Sequence, residues 1–580
     1  MSLPNQRRVF NPATLAMVAG LGTLLMALPA RGVDLIIDSL VPAPAGYTLD
    51  ASDSLTITTT GVLSAIGQSV VMNGSYLSVG QLLAKTLSGN GNAINQTPGL
   101  IQAETIFSDR WIFNSGTVKT GGFVSVPVVS GPASNQALGG YFATGNSALI
   151  NNNGDWFNHG NMSLRANSGA VASFENRGYF ASVNSTFLSP YSQTITLEPV
   201  PGNQASGQPA IFNVSLMFLG RGTTLMNRGL ILNSGNFVVG GGAKLEGDNS
   251  FWRSNRQSGV FHNVSTGTLT INRFGSFSQN SSESDFGSQG PGGLNNFGLI
   301  LVNGEVRTNG PVRSQAGGRI EIGATGDWGF DGSFINAVGS SVLVDGKMFG
   351  SLGGISNSGN FEVTGTGRVD VGSVSHSAGK LTVNGELTAS LTMTGGILDG
   401  SGRINGDVFI GGIGAPALPF ATCSGLLISA TPCFNPGNSP GHMEINGALT
   451  LGSGAILELE LERAADGSLA WDSVTAASMS FEAGSLVRVL ISDAAGGQFL
   501  SLPQFSFLTC TNTSACNFGG ATLVVQGAFD APNYHGGELV FSDSGLSFSL
   551  APVPEPQAWA LMLCGLGLVG WLARKRQNLA

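Results

Sequence analysis

Three glutamates alternate with leucines in Ile456-Leu457-Glu458-Leu459-Glu460-Leu461-Glu462. Side chains two apart on a strand point the same way, so Glu458, Glu460 and Glu462 share one face. Carboxylates about 5–9.5 Å apart can divide the acid and nucleophile or base roles of glycoside hydrolysis. Alternation on a half-exposed strand yields the same pattern without chemistry, and the solvated face is the simpler expectation.

Other candidate chemistry is thinner. Gly437-Asn438-Ser439-Pro440-Gly441 fits G-x-S-x-G, but that motif works only on a strained strand-to-helix turn, and β signals flank it here. Gly565-Leu566-Gly567-Leu568-Val569-Gly570 fits G-x-G-x-x-G inside an apolar segment with no strand before it, so it predicts no nucleotide site. His159, His262, His376, His442 and His535 stand singly, and Asp327-Trp328-Gly329-Phe330-Asp331-Gly332 is too irregular for a calcium repeat. No catalytic residue, cofactor or resident metal is expected.

Of five cysteines, Cys564 lies in the C-terminal apolar segment. Cys423/Cys433 and Cys510/Cys516 form two close pairs, which in a secreted chain favours two local disulfides among three possible connectivities.

The elements that carry these residues follow from composition. Glycine contributes 86 of 580 residues, about twice the usual ~7 %. Charged residues are 11 %, against roughly 25 % in an average domain, while 42 % are hydrophobic. Such a chain can bury a core but makes poor helices. The net charge is −9, and Arg7, Arg8, Arg574, Lys575 and Arg576 all sit in the terminal segments, so the body is more acidic still. That excludes the basic stripe required for nucleic acid.

Short β-prone runs such as Leu55-Thr56-Ile57-Thr58 and Lys380-Leu381-Thr382-Val383 alternate with Asn-Gly turns at Asn303-Gly304, Asn384-Gly385 and Asn446-Gly447. An apolar-Asn-x-Gly tetrad recurs irregularly, as in Phe113-Asn114-Ser115-Gly116, Phe157-Asn158-His159-Gly160, Met226-Asn227-Arg228-Gly229 and Leu232-Asn233-Ser234-Gly235. Asn296-Phe297-Gly298 and Asn357-Ser358-Gly359 are weaker copies. A β-solenoid, with turn asparagines stacked in ladders, suits this pattern better than a series of β-sandwiches. The segments Thr394–Val408 and Asn435-Pro436-Gly437-Asn438-Ser439-Pro440-Gly441 with Glu444–Leu451 resemble the closing rungs of autotransporter-type passenger domains. That resemblance implies an all-β, right-handed parallel β-helix. The usual β-barrel translocator does not follow.

Residues 1–32 have the form of a signal peptide: Arg7 and Arg8, an apolar Leu15–Leu28, then a small-residue site at Ala30 or Ala30-Arg31-Gly32. Arg7-Arg8-Val9-Phe10 also loosely fits a twin-arginine signal. At the other end, Pro554-Glu555-Pro556 precedes sixteen apolar or small residues, Ala558 to Ala573, and the cluster Arg574-Lys575-Arg576. Sixteen helical residues reach ~24 Å, short of a ~30 Å hydrocarbon core, with snorkelling basic side chains to cover the deficit. The tail resembles the PEP-CTERM sorting signal. The resemblance implies an exosortase as processing partner, a Gram-negative exopolysaccharide producer, and a place at or beyond the cell surface after transient anchoring by a single short transmembrane helix.

The expected organisation is a signal peptide at 1–32, early solenoid rungs at 33–200, a parallel β-helix at 201–553 with a Cys-bearing insertion near 413–433, and the sorting signal at 554–580. The expected function is that of a structural or adhesive surface protein of the exopolysaccharide or biofilm matrix, not an enzyme. The alternative is a β-helix polysaccharide lyase or hydrolase.

Overall fold

The computed structural model describes residues 7–9, 34–89, 93–95, 99–108, 112–114, 117–126, 133–135, 140–152, 155–158, 161–176, 179–182, 193–198, 211–214, 216–220, 223–227, 231–240, 243–248, 261–280, 293–350, 353–412, 423, 431–437, 440–494, 504–512, 515–527, 534–542, 545–552 and 556–577. They fall into two compact units, Met1–Ile355 and Ser356–Ala580.

In the first unit each short strand pairs in parallel with the strand one coil later. Leu299–Val302, Arg319–Ile322 and Ser341–Val344 stack in the register Leu299↔Arg319↔Ser341. Glu305–Thr308, Asp327–Phe330 and Lys347–Gly350 form a second column, and Val312–Ser314 with Phe334–Asn336 a third. One coil is therefore three strands and 20 to 22 residues. Parallel stacking begins early, with Asp34–Ile37, Ser54–Ile57 and Ser75–Ser78 in register. β-Sandwiches are built from antiparallel pairs, so the parallel register excludes that rival.

Alternation explains the core. Ile320 and Ile322 are buried while Arg319 is exposed and Glu321 half-buried. Stacking then makes internal columns of Ile300, Ile320, Val342 and of Val302, Ile322, Val344. Full burial of each such side chain stabilises by ~1.5–3 kcal/mol. Turn glycines let coils approach: a Cβ on Gly346 would collide with the carbonyl oxygens of Gly323 and Gly326.

The expected asparagine ladder is present. Asn213 Nδ2 donates to Asn233 Oδ1 (2.7 Å), Asn233 Nδ2 to Asn263 Oδ1 (2.8 Å) and Asn263 Nδ2 to Asn296 Oδ1 (2.8 Å). All four are fully buried. The steps are 20, 30 and 33 residues, so excursions between coils blur the sequence period while the ladder keeps register.

In the second unit Asn360–Val363, Lys380–Val383, Ile397–Gly400, Cys433–Pro436, Ile456–Arg463, Leu486–Asp493 and Thr522–Gln526 form one parallel column. Arg368–His376 and Glu386–Met393 bend round a corner, with a register break between Asp370 and Ser373. Pairing turns antiparallel where Gly545–Pro552 joins Gln504–Cys510 and Tyr534–Ser542.

Within the expected signal segment, Arg7–Val9 is a strand paired in parallel with Asp34–Ile36; Leu15–Leu28 and Ala30 lie outside the described residues. Pro556–Gln577 is a helix whose side chains from Leu561 to Leu572 are exposed. No helix among the described residues is long and apolar enough to cross a membrane. The expected C-terminal segment is a single short helix, its apolar run ~24 Å long.

Candidate functional site

In the second unit a glycine followed by a charged residue recurs once per coil, as Gly367-Arg368, Gly385-Glu386 and Gly402-Arg403. The glycine fits the stacked turn, since a Cβ on Gly385 would collide with the Thr364 and Gly367 carbonyl oxygens. The next residue opens a strand and faces outward. Register places Arg368, Glu386, Arg403 and Glu444 in one column of alternating charge.

The column is tied internally. Arg368 Nη2 is 3.2 Å from Glu386 Oε2, and Asn405 Nδ2 donates to Glu386 Oε1 at 2.7 Å. Arg403 Nε and Nη2 both reach Glu444 Oε2, at 2.8 and 2.7 Å. Alongside runs an open groove of about 310 Å³, walled by Thr366, Asn384, Ser401 and His442 with the column itself. His442 Nδ1 lies 2.9 Å from Ser473 Oγ. Ion pairs this exposed contribute only ~0–1 kcal/mol each, so stability alone is a weak reason for the column.

Glu458, Glu460 and Glu462 do not share a solvated face, which corrects the sequence reading. Glu458 is buried, Glu460 half-buried and Glu462 exposed, while Leu457, Leu459 and Leu461 fill the interior as expected. The cause is Cys423 together with Arg488. Cys423 packs over Ile397, Cys433, Ile456 and Leu486, an outer column on the same face as Glu458. Glu458 Oε2 then accepts from Arg488 Nη1 at 3.0 Å and from the Cys423 N–H at 3.4 Å. Burial, then the neighbouring Glu458 and Glu462, push the Glu460 carboxyl above its ordinary range.

Behind the Gly437–Gly441 turn, Asp472 is fully buried and accepts the Gly441 and Glu460 N–H groups, both at 2.8 Å. Its pKa is pushed up to about 7, chiefly by burial, against the two N–H donors and with help from Glu460 and Glu458. Asn438 and Ser439 lie outside the described residues. Their flanking elements, Cys433–Pro436 and His442–Leu451, are both strands, so no strand-to-helix nucleophile turn is built here.

Cys423/Cys433 and Cys510/Cys516 stand at disulfide distance, with Cα separations of 5.6 and 6.5 Å. Cys564 is free and exposed on the C-terminal helix. Among the described residues the histidines stay apart: His262 packs its ring 5.7 Å from that of Phe297, and His376 is buried against Asn357. His159 lies outside the described residues. Asp327 serves an ion pair with Arg307 at 2.9 Å. Among the described residues no group of three or more His, Cys, Asp or Glu could hold a metal ion.

Sequence reasoning missed the charged column and the buried pairs Arg488–Glu458 and Arg463–Asp493. The glycine–charge repeat, 18 and then 17 residues apart, was the available signal for the former.

Of the tail residues, Pro556 opens the helix, Arg574 and Lys575 are exposed on its last turn, and Arg576 lies in the same turn. Pro554 and Glu555 lie outside the described residues. Residues 552–577 match the PEP-CTERM protein-sorting motif. No curated protein matches the chain. The motif marks an exported protein that an exosortase sorts to the surface of a Gram-negative cell.

Proposed function

We propose that this chain is a non-catalytic structural or adhesive protein of the exopolysaccharide or biofilm matrix, exported through the signal at 1–32. The short C-terminal helix holds it transiently at the membrane until an exosortase acts at Pro554-Glu555-Pro556. The observation that carries the reading is the sorting motif at 552–577, set behind a parallel β-helix body. Gly-, Ser- and Asn-rich turns repeated once per coil offer a glycan many equivalent hydrogen-bonding groups.

The rival reading is a lyase or hydrolase. Glycoside hydrolysis needs one proton-donating carboxyl and one carboxylate flanking the scissile bond. In the groove Glu386 and Glu444 are each held by an arginine, and Glu458 is buried against Arg488 and the Cys423 N–H. The full-length protein, incubated with the producing cell's own exopolysaccharide, is expected to be retained on it and to release no new chain ends. Release of oligosaccharides, lost in Glu444→Gln, would replace this reading with the enzymatic one.

A further inference from the structure

We infer that the groove beside Arg368, Glu386, Arg403 and Glu444 binds a neutral, hydroxyl-rich polysaccharide laid along the stacking direction, one sugar per coil. This rests on the matrix reading above and names the site and the glycan class for it.

The first argument is spacing. Successive parallel strands are ~4.8 Å apart, so the groove repeats its lining at that interval. The lining does repeat: Thr366-Gly367-Arg368, Asn384-Gly385-Glu386 and Ser401-Gly402-Arg403 each give a polar turn residue, a glycine and a charge. A pyranose linked through opposite ring positions is close to this length, so a chain can meet equivalent groups on every coil. An extended peptide advances ~3.3–3.4 Å per residue and would drift out of step.

The second argument is the kind of group presented. A guanidinium donates to two oxygens in one plane, and a carboxylate accepts from two hydroxyls. Adjacent hydroxyls on a sugar ring can answer either. Alternation along the column therefore suits a ligand whose every unit both donates and accepts.

The third argument is charge and order. Two arginines oppose two glutamates, so the column carries no net charge to attract a polyanion. Arg403 is held by two contacts to Glu444, and Glu386 sits between Arg368 and Asn405. Side chains already fixed lose little freedom on binding.

Isothermal titration of the full-length protein in detergent tests this, with β-1,4-linked hexasaccharides of glucose and of mannose and a hexagalacturonate as probes. At least one neutral hexasaccharide is expected to bind, with its disaccharide and the hexagalacturonate each weaker by about tenfold or more. Arg403→Ala removes a charged donor. Ser401→Trp fills the groove from an exposed turn and leaves the ion pairs in place. Each is expected to weaken neutral-glycan binding by about tenfold or more, and the melting temperature of Ser401→Trp is expected to be unchanged. Absence of binding by both neutral probes, or unchanged affinity in Ser401→Trp, would overturn the site. Tighter binding of the hexagalacturonate would overturn the glycan class. Retention on crude exopolysaccharide, run in parallel, separates the two levels. If wild type and Ser401→Trp are retained alike, the groove assignment falls and the matrix reading stands; if neither is retained, both fall.

Discussion

Glu458 and Arg488 face each other across a parallel strand pair, 3.0 Å apart and almost wholly buried. Removing one partner strands a buried charge, at ~3–5 kcal/mol, whereas apolar replacement of both is often neutral or stabilising. Arg488→Ala should therefore lower the urea midpoint strongly, and Glu458→Leu with Arg488→Met should recover most of it. A single variant as stable as wild type would show that the pair is not sealed.

His376 and Asp472 should give opposite pH dependences. Asn357 Nδ2 can only donate, so His376 Nδ1, 2.8 Å away, accepts and the ring is neutral. Burial lowers its pKa from 6.5 to about 4. Its contribution to stability is present above pH 6.5 and is lost as pH falls from 6.5 towards 4. The Asp472 pKa is raised from 3.8 to about 7, mainly by burial, so its contribution is present at the acid end and is lost as pH rises through 7. Denaturant titrations between pH 4 and 8 should show His376→Asn losing the acid-side decline and Asp472→Asn losing the decline towards neutrality. An unaltered profile in either variant would contradict that assignment.

Asn263 is the central link of the buried ladder, donating to Asn296 and accepting from Asn233. Asn263→Ala removes one buried hydrogen bond from each neighbour, at ~0.5–1.5 kcal/mol each, while Asn233 Nδ2 keeps the Thr268 carbonyl and Asn296 Oδ1 keeps the Gly298 N–H. Thermal unfolding should show a loss well beyond that of a surface Asn→Ala change. A shift no larger than the surface control would mean the ladder is not a unit of stability.

Closing loops as short as Cys423–Cys433 and Cys510–Cys516 stabilises by roughly 2–3 kcal/mol in the chain-entropy account. Peptide mapping without reductant should recover these two linkages. Free thiols, or a linkage joining the two sites, would refute the pairing.

The inner face of the coils was legible from residue types, because a buried parity such as Leu457, Leu459 and Leu461 is written directly into alternation. The ladder was legible too: asparagine in a tight turn has one interior neighbour, the turn of the next coil. What alternation does not encode is a cover on the outer face. Glu458 looks solvated until Cys423, 35 residues away in the chain, lies over it. The charged column was half legible for the same reason. Its glycine–charge period holds through Arg403, but the step to Glu444 is 41 residues because the insertion intervenes.

The central claim is that the tail is a sorting signal and not a permanent part of the mature protein. Mass spectrometry of the protein released from the surface of an exosortase-bearing cell tests it most directly. The account predicts peptides covering the β-helix and none beyond about Pro556. Mature protein still carrying Arg574, Lys575 and Arg576 would contradict it.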